Sequence, residues 1–229
     1  MKDPGQASDI FCVGTEQTPV ISLAGDFSHQ RLAMAATQET WIPGGNAYPG
    51  IRAQVPGDYF EQLIKQMAPA LKQAYGLTPE QIDEAFCCFS LATQCEQQLT
   101  RLQSVPHFDA ITGRQLAMVH YLCESPFDGT GFFRQRQTGI ENVTQDNLDR
   151  YQTVLDSYIK DVEPGYSRYC DQYYDCLYQQ PAQINRIVLY PASLLHSGLV
   201  NDDRRLTDDP QSGRLTITGF LNFTHPVSY

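Results

Sequence analysis

The chain has 229 residues, 41% hydrophobic and 18% charged, with a formal charge of −10. That length and balance suit one domain, 1–229, with a substantial core. An acidic surface repels phosphate, which argues against nucleic acid and anionic membranes as partners and mildly favours a cationic or neutral substrate.

In chain order, Ile10-Phe11-Cys12-Val13 and Val20-Ile21-Ser22-Leu23 read as strands separated by turn signals. Asp26 to Gln38 reads as a helix capped by Asp26 or Ser28. Pro43 to Gly50 is a loop, because its prolines and glycines suit neither a regular helix nor a central strand. Phe60, Leu63, Ile64, Met67 and Leu71 then recur at helical spacing, predicting an amphipathic helix that packs on a sheet. Thr78-Pro79-Glu80 opens a short helix, with Thr78 as cap. Strands are predicted over 86–93, 115–123 and 131–135, with a turn over Phe127 to Gly131. Thr144 to Val162 is predicted helical, and Tyr166 to Tyr178 as a second helix. Strands resume at Arg186 to Tyr190, Leu194 to His196 and Leu215 to Phe223. Helices first, then many strands with one helical insertion, give an α+β class: an antiparallel sheet folded into a sandwich or jelly roll, with helices outside.

No apolar run follows Met1-Lys2-Asp3-Pro4-Gly5, and no stretch approaches the roughly 20 apolar residues that span a bilayer. A cytoplasmic location is therefore expected, without membrane partners. Seven cysteines, none in C-x-x-C spacing, are expected to be free thiols rather than a zinc cluster. Arg204-Arg205 lies among Asp202, Asp203, Asp208 and Asp209 and forms no basic patch.

Three distant segments carry the chemistry: Pro106-His107-Phe108-Asp109, Leu194-Leu195-His196-Ser197-Gly198 and Gly213-Arg214-Leu215-Thr216. In a strand, residues i and i+2 share a face, so His107 and Asp109 are predicted to point the same way. With His196 they make two imidazoles and one carboxylate, the set that holds non-heme Fe(II) with positions left open. Arg214 supplies a fixed cation suited to an acidic co-substrate. His120 alternates away from this face and is expected in the core or at the surface. Trp41 is expected to pack, with a pocket mouth as the alternative. Arg134 and Arg136 are expected as solvated edge charges, with a pocket-facing hold on a substrate acid as the alternative.

The joint pattern resembles the Fe(II)/2-oxoglutarate dioxygenases, in the branch similar to prolyl 4-hydroxylases. The resemblance covers roughly residues 100–223 and runs through Pro106-His107-Phe108-Asp109, Ala117 to Leu122, Leu189-Tyr190-Pro191, His196-Ser197-Gly198 and Arg214-Leu215-Thr216. Tyr48-Pro49-Gly50-Ile51-Arg52 and Asn185-Arg186 also resemble an uncharacterised bacterial family within that superfamily. The resemblance implies a double-stranded β-helix, the jelly-roll core over 101–229, supported by strands and helices from 1–100. It implies Fe(II) on His107, Asp109 and His196, and 2-oxoglutarate held by Arg214, with Tyr121 and Thr216 adding hydroxyls. O2 would be the oxidant, and the substrate a small molecule, amino acid or peptide side chain.

Two departures stand out: Asp128 replaces the first glycine of the usual turn, and 140–185 is longer than a minimal member needs. That insertion is expected as a lid, a dimer arm or a substrate-specific wall, so a homodimer stays open. The competing readings are a non-catalytic jelly-roll metabolite-binding module and a cupin-like metalloenzyme that does not use 2-oxoglutarate.

Overall fold

Strand alternation organises a computed structural model that describes residues 8–124, 126–166 and 172–227. The architecture is α+β, with two antiparallel sheets and three α-helices among the described residues. The larger sheet has eight strands in the order β1 (Ser8–Val13), β2 (Thr18–Ala24), β9 (Arg186–Pro191), β6 (Gln115–Tyr121), β11 (Arg214–Phe223), β5 (Ile82–Ala92), β4 (Gly50–Gln54) and β3 (Ile42–Pro43). The smaller sheet has the order β10 (His196–Gly198), β7 (Thr130–Gln135) and β8 (Tyr174–Gln180).

Period-two alternation gives the larger sheet two distinct faces. Leu116, Met118, Phe89, Leu91, Ile217 and Leu189 join Leu63, Met67 and Leu71 of α2 (Tyr59–Tyr75) in one apolar cluster. Each such buried side chain stabilises the fold by about 1.5–3 kcal/mol. α2 continues through Pro69, which lies on its exposed face, where the Lys65 carbonyl left without a donor can meet water. It stops at Gly76, whose φ of +66° is left-handed and whose N–H donates to the Lys72 carbonyl at 3.1 Å. α1 (His29–Gln38) is capped by Ser28, which accepts from the Arg31 N–H.

The opposite face of the larger sheet meets the smaller one, where Tyr121, Val188 and Tyr190 pack with Phe132 and Leu194. Beyond the smaller sheet, Phe133, Tyr174 and Leu195 pack with Tyr151, Leu155 and Tyr158 of α3 (Leu148–Tyr158). The order of layers is therefore helices, large sheet, small sheet, helix.

Two expectations change. Tyr174–Gln180, expected in a helix, is strand β8 paired with β7. In β8, Tyr174 is buried while Asp175 pairs with Arg134 and Arg136 at 2.9 Å, so this stretch answers to cross-strand partners rather than helical spacing. Residues 167–171 of the expected helix lie outside the described ones. Second, His107 and Asp109 do not sit on a regular strand. His107 forms an isolated antiparallel bridge to His196, and Asp109 lies in a bend. The bend is anchored because both the Asp109 and Ala110 N–H groups donate to the Ala192 carbonyl, at 2.7 and 3.2 Å.

The turn joining β1 to β2 is tied down by Glu141, which is fully buried. Its carboxylate accepts from the Thr15 N–H at 3.0 Å, the Thr15 hydroxyl at 2.9 Å and the Glu16 N–H at 3.0 Å. Glu141→Ala would strand these donors and is expected to cost about 2–3 kcal/mol. A urea denaturation curve checks this, and an unchanged midpoint would contradict it.

Candidate metal centre

Pairing between the His107 segment and β10 builds the site. The His107 N–H donates to the His196 carbonyl at 2.9 Å, and the His196 N–H returns to the His107 carbonyl at 2.8 Å. Such a closed pair puts both side chains on one face, with ring centroids 4.4 Å apart. The Ala192 anchor then swings Asp109 back beneath them. His196 Nε2 lies 3.3 Å from Asp109 Oδ2, and His107 Nε2 lies 3.9 Å from Asp109 Oδ1. One donor atom from each residue falls within 4.8 Å of the others. Among the described residues this is the group of three or more His, Cys, Asp or Glu side chains able to hold a cation.

The donor chemistry fits a divalent metal. His196 Nδ1 lies 2.8 Å from the Leu194 carbonyl, so Nδ1 carries the proton and donates, leaving Nε2 to face Asp109. An Nε2 lone pair and a carboxylate 3.3 Å apart repel unless a proton or a cation lies between them. Metal–nitrogen bonds of about 2.1 Å place adjacent ligand atoms roughly 3 Å apart, close to this spacing.

The electrostatics agree with that reading. Burial opposes a charge on His196, but the Asp109 carboxylate and the Leu194 carbonyl outweigh it and raise its pKa. Burial would also raise the Asp109 carboxyl, but His196, His107 and Arg52 outweigh it and hold it below the usual range. His107 is pushed down to about 4 by burial first and by His196 second. Its side chain keeps 50% of its surface and lines the cavity. A neutral imidazole is the form that binds metal.

The triad lines one side of a cavity of about 190 Å³ between the two sheets. Arg214 lines it too, at the start of β11 and only 6% exposed. Its Nη2 donates to the Gly129 carbonyl at 2.8 Å and its Nε to the Asp128 carbonyl at 3.3 Å. Among the described residues no carboxylate pairs with it. Gly129 must lack a side chain here, because a Cβ would overlap the Gln180 carbonyl oxygen. Asp128, standing where the resembled family has a glycine, uses only its carbonyl in this contact.

Thr216, two residues beyond Arg214, lines the cavity but donates its hydroxyl to the Ser90 carbonyl at 3.2 Å. Tyr121 is fully buried behind the wall, its hydroxyl 2.6 Å from that of Thr130, which does line the cavity. Burial raises Tyr121 to about 12 against the opposing charge of Arg214, so it remains a neutral hydroxyl. The structure thus brings His107, Asp109, His196, Arg214 and Thr216 to one cavity, with Tyr121 one hydrogen bond away.

The other weighed residues fall elsewhere. His120 is buried between the Tyr59 hydroxyl at 2.9 Å and Asn185 at 3.3 Å, on the helix-facing side of the sheet. Trp41 packs against the main core and donates to the Ala36 carbonyl at 3.1 Å. Arg134 and Arg136 pair with Asp175 outside the cavity.

Sequence reasoning assigned no role to Tyr48, Arg52 or Tyr166, all of which line the cavity. Arg52 had a readable signal: it alternates between Ile51 and Ala53, which join the main core with Ala53 buried. Tyr166 reaches the wall from the start of the segment expected to be helical, its hydroxyl donating to the Gln94 carbonyl at 2.6 Å.

Several solved structures are similar to this chain. The non-heme alpha ketoglutarate dependent epimerase SnoN from nogalamycin biosynthesis shares 12% identity over 91% of this chain and 80% of its own, with a TM-score of 0.48. HygX from Streptomyces hygroscopicus, with nickel, 2-oxoglutarate and hygromycin B bound, shares 11% over 93% of this chain and 87% of its own, with a TM-score of 0.48. An N-substituted L-amino acid dioxygenase from Burkholderia ambifaria shares 11% over 95% of each chain, with a TM-score of 0.44. Scores and identities this low assign no activity to this chain. No curated protein matches it. No described helix is long and apolar enough to cross a membrane. The model of the family described as "Family of unknown function (DUF6445)" matches residues 6–221, nearly the whole chain, and the protein belongs to that family.

Proposed function

We propose that this protein is an Fe(II)- and 2-oxoglutarate-dependent oxygenase of the prolyl-4-hydroxylase-like kind, hydroxylating a small molecule, amino acid or peptide side chain. One observation carries the reading: a His-Asp-His donor set and a buried arginine without a carboxylate partner among the described residues face one cavity. Strand order supports it as well. β5-β11-β6-β9 in one sheet opposes the His107 segment, β10, β7 and β8 in the other, the pairing expected of a double-stranded β-helix.

When bound, Fe(II) with 2-oxoglutarate and O2 supplies the oxidation: one oxygen atom goes to the substrate, and the co-substrate leaves as succinate and CO2. The protein's part is to bind, orient and shield. His107, Asp109 and His196 hold the metal on one side and leave the cavity side open. Arg214, oriented by the Asp128 and Gly129 carbonyls, pairs with the far carboxylate of 2-oxoglutarate. Thr130 and Thr216 line the wall beside it. Tyr190, fully buried, packs edge-on against His196 at 4.8 Å between centroids and fixes that ring.

Incubation with 2-oxoglutarate, Fe(II), ascorbate and O2 is expected to yield succinate, detected by mass spectrometry, even without the substrate. Asp109→Ala should reduce the yield to the protein-free background. Succinate formation that is unaffected by this change would reject the assignment.

A further inference from the structure

The same cavity holds a second guanidinium that the metal and co-substrate do not use. Arg52 lies on β4, and its position follows from register. Tyr121 pairs with Thr216, Thr216 with Ser90, and Ser90 with Arg52, so the four form one row across β6, β11, β5 and β4. Directly paired residues share a face, and this row faces the cavity that Arg52 and Thr216 line.

Arg52 has no hydrogen bond or ion pair among the described residues, and its Nε is buried without a partner. Its guanidinium lies 4.9 Å from the centroid of the Tyr48 ring, which holds it by cation–π attraction. The Tyr48 hydroxyl is likewise buried and unpartnered. Burial raises that hydroxyl to about 12, against the opposing charges of Arg214 and Arg52, so it stays a proton donor. Both residues line the cavity, and a buried donor left without a partner on each is costly unless a ligand or a small shift of the side chain satisfies it.

Charge accounting says which ligand. A metal dication, the Asp109 carboxylate, a 2-oxoglutarate dianion and the Arg214 guanidinium cancel. Arg52 then remains as one uncompensated positive charge in a low-dielectric cavity. We infer that Arg52, with the Tyr48 hydroxyl beside it, binds a carboxylate of the primary substrate, which is therefore a carboxylic acid. Ala47, Pro49, Leu102 and Val200 line the same cavity and suit an apolar body on that acid. This assignment rests on the oxygenase reading and reverses the preference that the acidic surface suggests, because the local cations outweigh distant surface charge.

The test uses full-length protein loaded with Ni(II) and saturating 2-oxoglutarate, so that no turnover occurs. Phenylacetate, 3-phenylpropionate and hexanoate are titrated by calorimetry against their matched primary amides. The acids are expected to bind at least about tenfold tighter than the amides, and Arg52→Gln to remove that difference. Tyr48→Phe should weaken the acids by a smaller factor. Amides binding as well as acids, no acid binding, or an acid preference that survives Arg52→Gln would each overturn the inference. The acid–amide comparison needs only the native chain, so it stands even if a variant fails to fold. Anaerobic Fe(II)–2-oxoglutarate absorbance separates the two claims. Loss of that band in Arg52→Gln would make Arg52 a co-substrate clamp and overturn this proposal alone, whereas its absence in the native chain would reject the oxygenase reading.

Discussion

His196→Ala is expected to abolish stoichiometric Fe(II) binding, with affinity falling at least about 100-fold, since changing even a ligand's outer-shell partners costs tenfold to a hundredfold. The imidazole is the triad member most constrained by its surroundings. Its Nδ1 is committed to the Leu194 carbonyl at 2.8 Å, its ring is braced by Tyr190, and its Nε2 faces Asp109 at 3.3 Å. Alanine removes the donor without touching the main-chain pair between residues 107 and 196. The fold should therefore persist, with a loss of about 1 kcal/mol from the Leu194 carbonyl. Circular dichroism checks the fold and equilibrium dialysis the metal. One tightly bound equivalent of Fe(II) in the variant would remove His196 from the site.

Arg214→Lys is expected to weaken 2-oxoglutarate about 10–100-fold while leaving Fe(II) affinity nearly unchanged. Two guanidinium donors already engage the Asp128 and Gly129 carbonyls, which fixes the plane of the group. The remaining donors can meet a carboxylate in parallel. Lysine keeps the charge but loses the planar fork and cannot satisfy both carbonyls while reaching the ligand. Arg214 reaches the cavity from β11, whereas His196 comes from β10 and His107 from the segment bridged to it, so the effect should fall on the co-substrate alone. Anaerobic titration of the Fe(II)-loaded variant measures this. Equal affinity for 2-oxoglutarate in both proteins would dismiss the clamp.

The long strands and α2 were legible because their periodicities are strong and their faces are clearly divided. β11 alternates buried Leu215 and Ile217 toward the α2 side with Thr216 toward the cavity. α2 repeats Leu63, Met67 and Leu71 at helical spacing. The His-Asp-His set was legible as residue types in order, but not in its mechanism of convergence. Alternation on a strand was expected to align His107 with Asp109, whereas a bridge to His196 and an anchor at Ala192 do so. Both are long-range hydrogen bonds with no local signature. β8 was misread as helix because its partners lie about 40 residues away in β7, where Arg134 meets Asp175. Arg52 was passed over for a similar reason: its place in the cavity depends on register across three other strands.

We propose that one cavity binds Fe(II) and 2-oxoglutarate together. Anaerobic Fe(II) titration of the native protein, with and without 2-oxoglutarate, tests it most directly. One equivalent of Fe(II) is expected to bind, with a weak visible charge-transfer band only when both are present, lost in Asp109→Ala and diminished in Arg214→Ala. Tight Fe(II) binding with no band at saturating 2-oxoglutarate would contradict it.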